Sequence, residues 1–303
     1  MLIHGRPSEE TKGQLATAFL IIFFAFTSAA AYGADLLSLI EFKGQGSIDW
    51  TAGVVTAKGS ADPSTYSYPT KTQGNHEQTV SEAISKARHN LLETIVGMRI
   101  NARERVIDVI ENYPSIMTSL REMAYKAPEV ENLRTNLYDG GVEVWSQMAF
   151  NGGFSQLILP PDIRQIESIK QVLPRRNPVN LLNRKRSSDI YTGMVVDARG
   201  IEAIPVLAPR ILDENLEEVF GPTYASREFA VQHGVVHYAT NIWQAKFDQR
   251  VSDNPIIVKA LKTVWPGRCD FIISNADADK LRRESEHLLF LRECRVIIVL
   301  DPM

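Results

Sequence analysis

A chain of 303 residues with 44% hydrophobic and 23% charged residues has room for two ordinary domains and is too apolar to be disordered. Its net charge of −3 excludes the clear basic excess of a dedicated nucleic-acid binder, so no nucleic-acid partner is expected.

Residues 15–26 form an apolar run broken only by Thr17, and small residues follow in Thr27-Ser-Ala-Ala-Ala31-Tyr-Gly33. The run fits the apolar region of an export signal, whereas a membrane span needs ~20 residues. Residues 1–33 are therefore predicted to be a signal peptide, cleaved after Ala31 or Gly33, so that the mature chain starts near Tyr32 or Asp35. Retention as an uncleaved anchor and burial as a core helix are the alternatives. No Cys lies near the cleavage region, which leaves no site for a lipid-modified N-terminus. No second long apolar run follows, so the mature protein is expected to be soluble in the periplasm, with outer-membrane association open to it.

The first domain is expected over residues 35–161. Residues 35–42 read as a first helical turn or an edge strand. Residues 46–59 read as one strand, apolar on both faces and so central and covered on both sides. Residues 61–75 are rich in Pro, Ser, Thr, Tyr and Gly and read as an exposed loop. Tyr66 and Tyr68 within it are candidate partner contacts, since aromatic residues on exposed loops suit interfaces. From His76 to Gly97 the residues Val80, Ile84, Ala87, Leu91 and Ile95 recur every three or four positions, which predicts a long amphipathic helix closed by Gly97. Further helices are expected over 103–112 and 116–124. Two hairpin strands are expected over 142–150 and 154–159, with Asn151-Gly-Gly153 as the turn.

Residues 162–188 read as a basic linker. Arg175, Arg176, Arg184, Lys185 and Arg186 could meet an acidic partner or anionic lipid headgroups, which would give peripheral membrane association. A second α/β domain is expected over 189–303, with strands over 191–197, 205–212, 217–220 and 255–262 and short helices over 226–232 and 243–251. Its end reads strand, helix, strand over 270–274, 275–289 and 295–300, which predicts a parallel pair with a right-handed crossover. Cys269 and Cys294 would then lie at matching places on one sheet edge, within reach of a disulfide in an oxidising compartment. Two buried free thiols are the alternative, and they follow if another strand lies between.

Motifs that would carry chemistry are missing: no phosphate-binding Gly-rich loop ending in Lys-Ser/Thr, no dinucleotide fingerprint and no nucleophile elbow occurs. His233 and His237 have the spacing of a metal pair, but Gly234 between them favours a helix end. Asn275, Asp277 and Asp279 alternate like the start of a calcium loop, yet lack its later residues and are better read as helix capping. Asp213, Glu214, Glu217 and Glu218 read as a solvated acidic turn. No catalytic residue, metal or cofactor is predicted.

The strand Trp50-Thr-Ala-Gly-Val-Val-Thr-Ala-Lys-Gly59, the helix segment Ala83-x-x-x-Ala87-Arg88-x-Asn90-Leu91-Leu92 and the following Ile95-Val-Gly-Met-Arg-Ile100 resemble the bacterial lipoprotein-20 family and the N-terminal domain of flagellar assembly protein T. The resemblance covers residues 35–159. It implies helices packed on a small sheet, a periplasmic or outer-membrane address and a scaffolding or assembly role among envelope proteins, the flagellar basal body among them, with no catalytic residues to carry over. The expected fold is α/β: an α+β first domain, then a mixed sheet with a parallel strand–helix–strand end. The expected function is a non-enzymatic envelope scaffold. The alternative is a periplasmic enzyme or ligand binder with its site at the strand ends of the second domain, where Asn275, Asp277, Asp197 and Asp301 would be the suspects.

Overall fold

In the computed structural model the described residues are 38–62, 74–130, 133–137, 140–163, 190–283 and 285–303. They build two sheets, one antiparallel and one mixed, with helices against both, an α/β arrangement. The expected signal segment, Tyr66 and Tyr68, and the linker residues Arg175, Arg176, Arg184, Lys185 and Arg186 lie outside the described residues.

The first sheet has the order β1-β2-β3-β5-β4, formed by β1 (Ile40–Lys43), β2 (Gly46–Asp49), β3 (Val54–Ala61), β4 (Thr135–Asn136) and β5 (Val142–Ala149). The single strand expected over 46–59 is a hairpin. Asp49 folds it: its carboxylate accepts the amides of Thr51 and Ala52 at 2.9 and 2.8 Å, and Gly53 turns with φ +72°. Apolar Trp50 and Ala52 kept the alternation going through this turn and disguised it. β3 is central as expected, but only one face is covered: Val55, Ala57 and Ala61 are buried, while Val54, Thr56 and Lys58 are half-buried.

The covering element is α1 (Gly74–Val96), whose Ala83, Ala87, Leu91 and Ile95 are all fully buried. It approaches β3 where both chains are smallest. A Cβ placed on Gly59 would sit 2.1 Å from the Ala83 carbonyl oxygen and 2.2 Å from the Ala87 nitrogen. Asn90 ties the two elements by donating to the Lys58 carbonyl at 2.7 Å. α2 (Val106–Asn112) and α3 (Ser115–Tyr125) follow, bringing Val106, Ile110 and Leu120 to the same core. The partner strand expected over 154–159 is a helix instead, α4 (Gly153–Ile158). Phe154 and Ile158, four apart and both buried, mark its inner face.

The second sheet has the order β8-β7-β11-β10-β6-β12-β9. Its strands are β6 (Gly193–Asp197), β7 (Ile211–Leu212), β8 (Glu218–Phe220), β9 (His237–Ala239), β10 (Pro255–Thr263), β11 (Phe271–Ile273) and β12 (Val296–Val299). β10, β6, β12 and β9 run parallel, and β11 runs antiparallel to β10. Of the strand expected over 205–212 only its last two residues pair; Pro205, Val206, Leu207, Ala208 and Pro209 are a buried connection.

Two layers cover this sheet. α6 (Ile242–Lys246), shorter than the helix expected over 243–251, packs Ile242 and Ala245 with Val195, Ile297 and Val299. On the other face Met194, Val196, Val296 and Ile298 join Ala278 and Leu281 of α7 (Asn275–Arg283) and Phe290 and Leu291 of α8 (Ser285–Arg292). α5 (Arg227–His233) closes the side towards the first sheet, packing on α4.

The parallel pair expected between 270–274 and 295–300 is not formed. β10 and β6 lie between β11 and β12, and β11 runs opposite to β12. Cys269 and Cys294 are therefore at opposite ends of the sheet and three strand spacings apart, ~14 Å. A disulfide cannot span that. Both thiols are free and fully buried, and burial pushes each up to about 12, which keeps them protonated and unreactive at neutral pH.

Candidate functional site

The halves before and after the linker share one core. Trp50 stacks edge-on against Tyr238, ring centres 5.8 Å apart, and lies 5.6 Å from Phe150. The backbones also join: Leu207 and Ala208 donate to the carbonyls of Arg99 and Ile100 at 3.2 and 2.7 Å, and Gly152 donates to Val231 at 2.7 Å. Gly267 leaves room for Ala102, since a Cβ there would lie 2.7 Å from the Ala102 Cβ. Arg227 on α5 reaches across to α4 and its exit, donating to the carbonyls of Gln156, Leu159, Pro160 and Ile163 at 2.7–3.5 Å.

Along this seam three recesses run into one another. The largest, about 970 Å³, has walls of Val109, Tyr113, Ile116, Leu157 and Ile163. A middle one of about 520 Å³ shares Glu104, Pro160 and Pro161 with it and adds Arg103 and Arg210. A third of about 280 Å³ shares Asn101, Ala102, Arg103 and Glu104 with the second and adds Arg99, Arg105, Pro266 and Gly267. The seam thus carries a trough, apolar at one end and lined by guanidinium groups at the other.

The basic end is a stiff loop. The Asn101 side chain accepts the amides of Arg103 and Glu104 at 2.8 and 3.0 Å and donates to the Glu104 carboxylate at 2.9 Å. The backbone of Ile100 and Asn101 closes onto Glu104, and Arg99 bridges Arg105 as a short antiparallel pair. Arg105 donates its amide to Asp108, which caps α2. Ile100 is fully buried beneath, while Arg103 and Arg105 are exposed. Among the described residues Arg99, Arg103 and Arg105 take part in no ion pair.

Several other charged groups hold the fold. Asp270 is buried and fixed by Arg210, which donates from two nitrogens. Burial alone would raise the Asp213 carboxyl; donation from Arg282 at 2.7 Å and from the amides of Glu217 and Asn215 outweighs it and holds Asp213 below the usual range. The expected solvated acidic turn is thus an ordered corner, with Asp213 only 1% exposed. Arg250 donates to the carbonyls of Cys294, His233 and Gly234 at 2.6–2.7 Å, closing the end of α5.

The strand-end suspects are similarly occupied. Asp197 is chelated by the Arg199 guanidinium at 2.8 and 3.0 Å, with Lys259 3.4 Å away, and Arg199 above all pulls it down to about 2. Asp301 accepts the Gly200 amide at 2.6 Å. Asp277 and Ser274 cap α7 reciprocally, at 2.8 and 3.1 Å, with Lys280 on the outer Asp277 oxygen. Asn275 and Glu214 exchange two backbone-to-side-chain bonds at 2.9 and 3.1 Å. His233 ends α5 and His237 begins β9, so the pair does not share a helix face. Among the described residues no three His, Cys, Asp or Glu side chains gather as metal ligands, and no helix is long and apolar enough to cross a membrane.

The trough's arginines were missed from sequence because residues 103–105 read as the start of a helix. The signal was present as Arg99-x-x-x-Arg103-x-Arg105 with Asn101 inside it, a residue that nucleates turns.

Residues 193–302 match the family model described as the second domain of Treponema pallidum Tp0624. No curated protein matches the chain. The match begins at β6 and covers the second sheet, so it concerns a different part of the chain from residues 35–159, where the resemblance to the lipoprotein-20 family lies.

Proposed function

We propose that this chain is a non-catalytic binding component of the bacterial cell envelope, exported and acting as a scaffold or assembly part that holds other envelope proteins. The observation that carries it is the division of labour among the charged groups. Carboxylates at strand ends and helix starts hold loops and caps, whereas Arg99, Arg103 and Arg105, in no ion pair among the described residues, and the exposed Tyr113 line one trough. An active site needs titratable groups converging on a reacting atom; a protein-binding surface needs apolar contact beside charge, which the trough offers. The export signal expected over residues 1–33 and the lipoprotein-20 resemblance support the envelope address. A flagellar role is the narrower form of the reading and rests on that resemblance alone.

Fractionation of cells with N-terminal sequencing of the recovered protein tests the address. The expected result is a periplasmic or outer-membrane-associated chain beginning near Tyr32 or Asp35. A full-length chain recovered from the cytosol or embedded in the inner membrane would overturn it.

A further inference from the structure

We propose that the seam trough binds an extended peptide segment of a partner protein, a segment acidic at one end and apolar at the other. The proposal rests on the reading of the chain as a protein-binding component and names the chemistry of its partner. Charge sets the orientation. Arg99, Arg103 and Arg105 stand at one end with only Glu104 against them, in a chain whose net charge is −3. Guanidinium forks pair bidentately with carboxylates, and among the described residues these three have no carboxylate partner. Asp162 lines the middle recess and not the arginine recess, and Arg210 there is already paired with Asp270, so the arginine loop is the end that favours the acidic part of the occupant.

The other end takes apolar side chains. Tyr113 is 64% exposed on its wall, beside Val109, Ile116 and Leu157. An aromatic residue flanking such a recess is the usual anchor of a binding surface. Rigidity favours binding as well: the Asn101 turn, the Arg227 clasp and the Gly267–Ala102 contact hold both walls before any partner arrives, so little ordering cost remains. Trp265, 81% exposed and next in the chain to Pro266 of the arginine recess, offers a fluorescent reporter.

Random twelve-residue peptides displayed on phage, selected against the full chain at low salt, test this directly. The expected winners combine a run of Asp or Glu with a separate run of apolar residues. A synthetic copy should change Trp265 fluorescence and bind more weakly as salt rises. It should lose roughly tenfold in affinity to the variant Arg103→Glu/Arg105→Glu, and lose affinity separately to Tyr113→Ala. All three positions are exposed, so the variants should melt like the parent; Arg103→Gln/Arg105→Gln replaces the charge reversal if they do not.

Winners without acidic residues, winners that bind the arginine variant as tightly as the parent, or no winners at all would overturn the proposal. So would tripolyphosphate or anionic vesicles binding as tightly as the peptide without dependence on Tyr113. Any of these leaves the envelope address to its own test, because cell fractionation does not involve the trough.

Discussion

Gly59 shows how a single residue sets the geometry of the first half. Its missing side chain lets the backbone of α1 lie directly on β3, with the fully buried Ala83 and Ala87 as the facing small residues. Gly59→Ala should cost about 3 kcal/mol, because the added methyl meets backbone that cannot rotate away; a denaturant melt of the variant reads this, and a midpoint equal to the parent's would contradict the packing. Asp197 is the matching case in electrostatics. Its carboxyl is held down at about 2, chiefly by Arg199, so the bonded carboxylate contributes stability that is complete above the unfolded value of about 4 and is lost as pH falls through about 2. Asp197→Asn should remove about 1 kcal/mol at neutral pH, allowing for the half-exposed partners, and should flatten the loss of stability between roughly pH 4 and 2. An unchanged acid limb would show that the chelate contributes nothing. The Gly and Ala positions were visible in the sequence as part of a family-like pattern, but the reason for them, a helix resting on a glycine, needed the third dimension.

Among the elements, α1 was the most legible, because twenty-odd residues at helical period leave little room for another reading. Leu91 sits at the centre of its inner stripe with no exposure, whereas Lys86 lies on the outer face beside Glu82. Leu91→Asp should unfold the first sheet, since an unpartnered buried charge costs several kcal/mol, comparable to a domain's whole stability. Lys86→Asp should cost only a few tenths, from the lost i,i+4 pair and the new like-charge contact. Circular dichroism melts of the two variants check the contrast. The hairpin over residues 46–61 was less legible: an Asx turn made by one carboxylate does not interrupt hydrophobic alternation. α4 was misread for the opposite reason, since Asn151-Gly-Gly153 looks the same before a strand as before a short helix. Strand order was the least accessible feature. β11 and β12 are neighbours in sequence, and nothing local announces that β10 and β6 pass between them.

At the scale of the whole molecule the two halves are joined by a shared core, backbone bridges and the Arg227 clasp, and both halves supply walls to the middle and basic parts of the trough. No reading of either half alone could have placed Arg103 in one recess with Arg210 or Ala102 against Gly267. The proposed binding role draws on three features of the sequence, a net charge of −3, the missing catalytic motifs and the expected export signal. The central claim is that it holds them at this seam, within the envelope. The most direct measurement is photocrosslinking in living cells from a photoreactive residue placed at Tyr113, compared with one at Lys262, which is exposed on β10 away from the trough. The account predicts covalent adducts from position 113 with exported proteins, identified by mass spectrometry, that are reduced by Arg103→Glu/Arg105→Glu. Equal labelling from both positions, or adducts with cytosolic proteins, would contradict it.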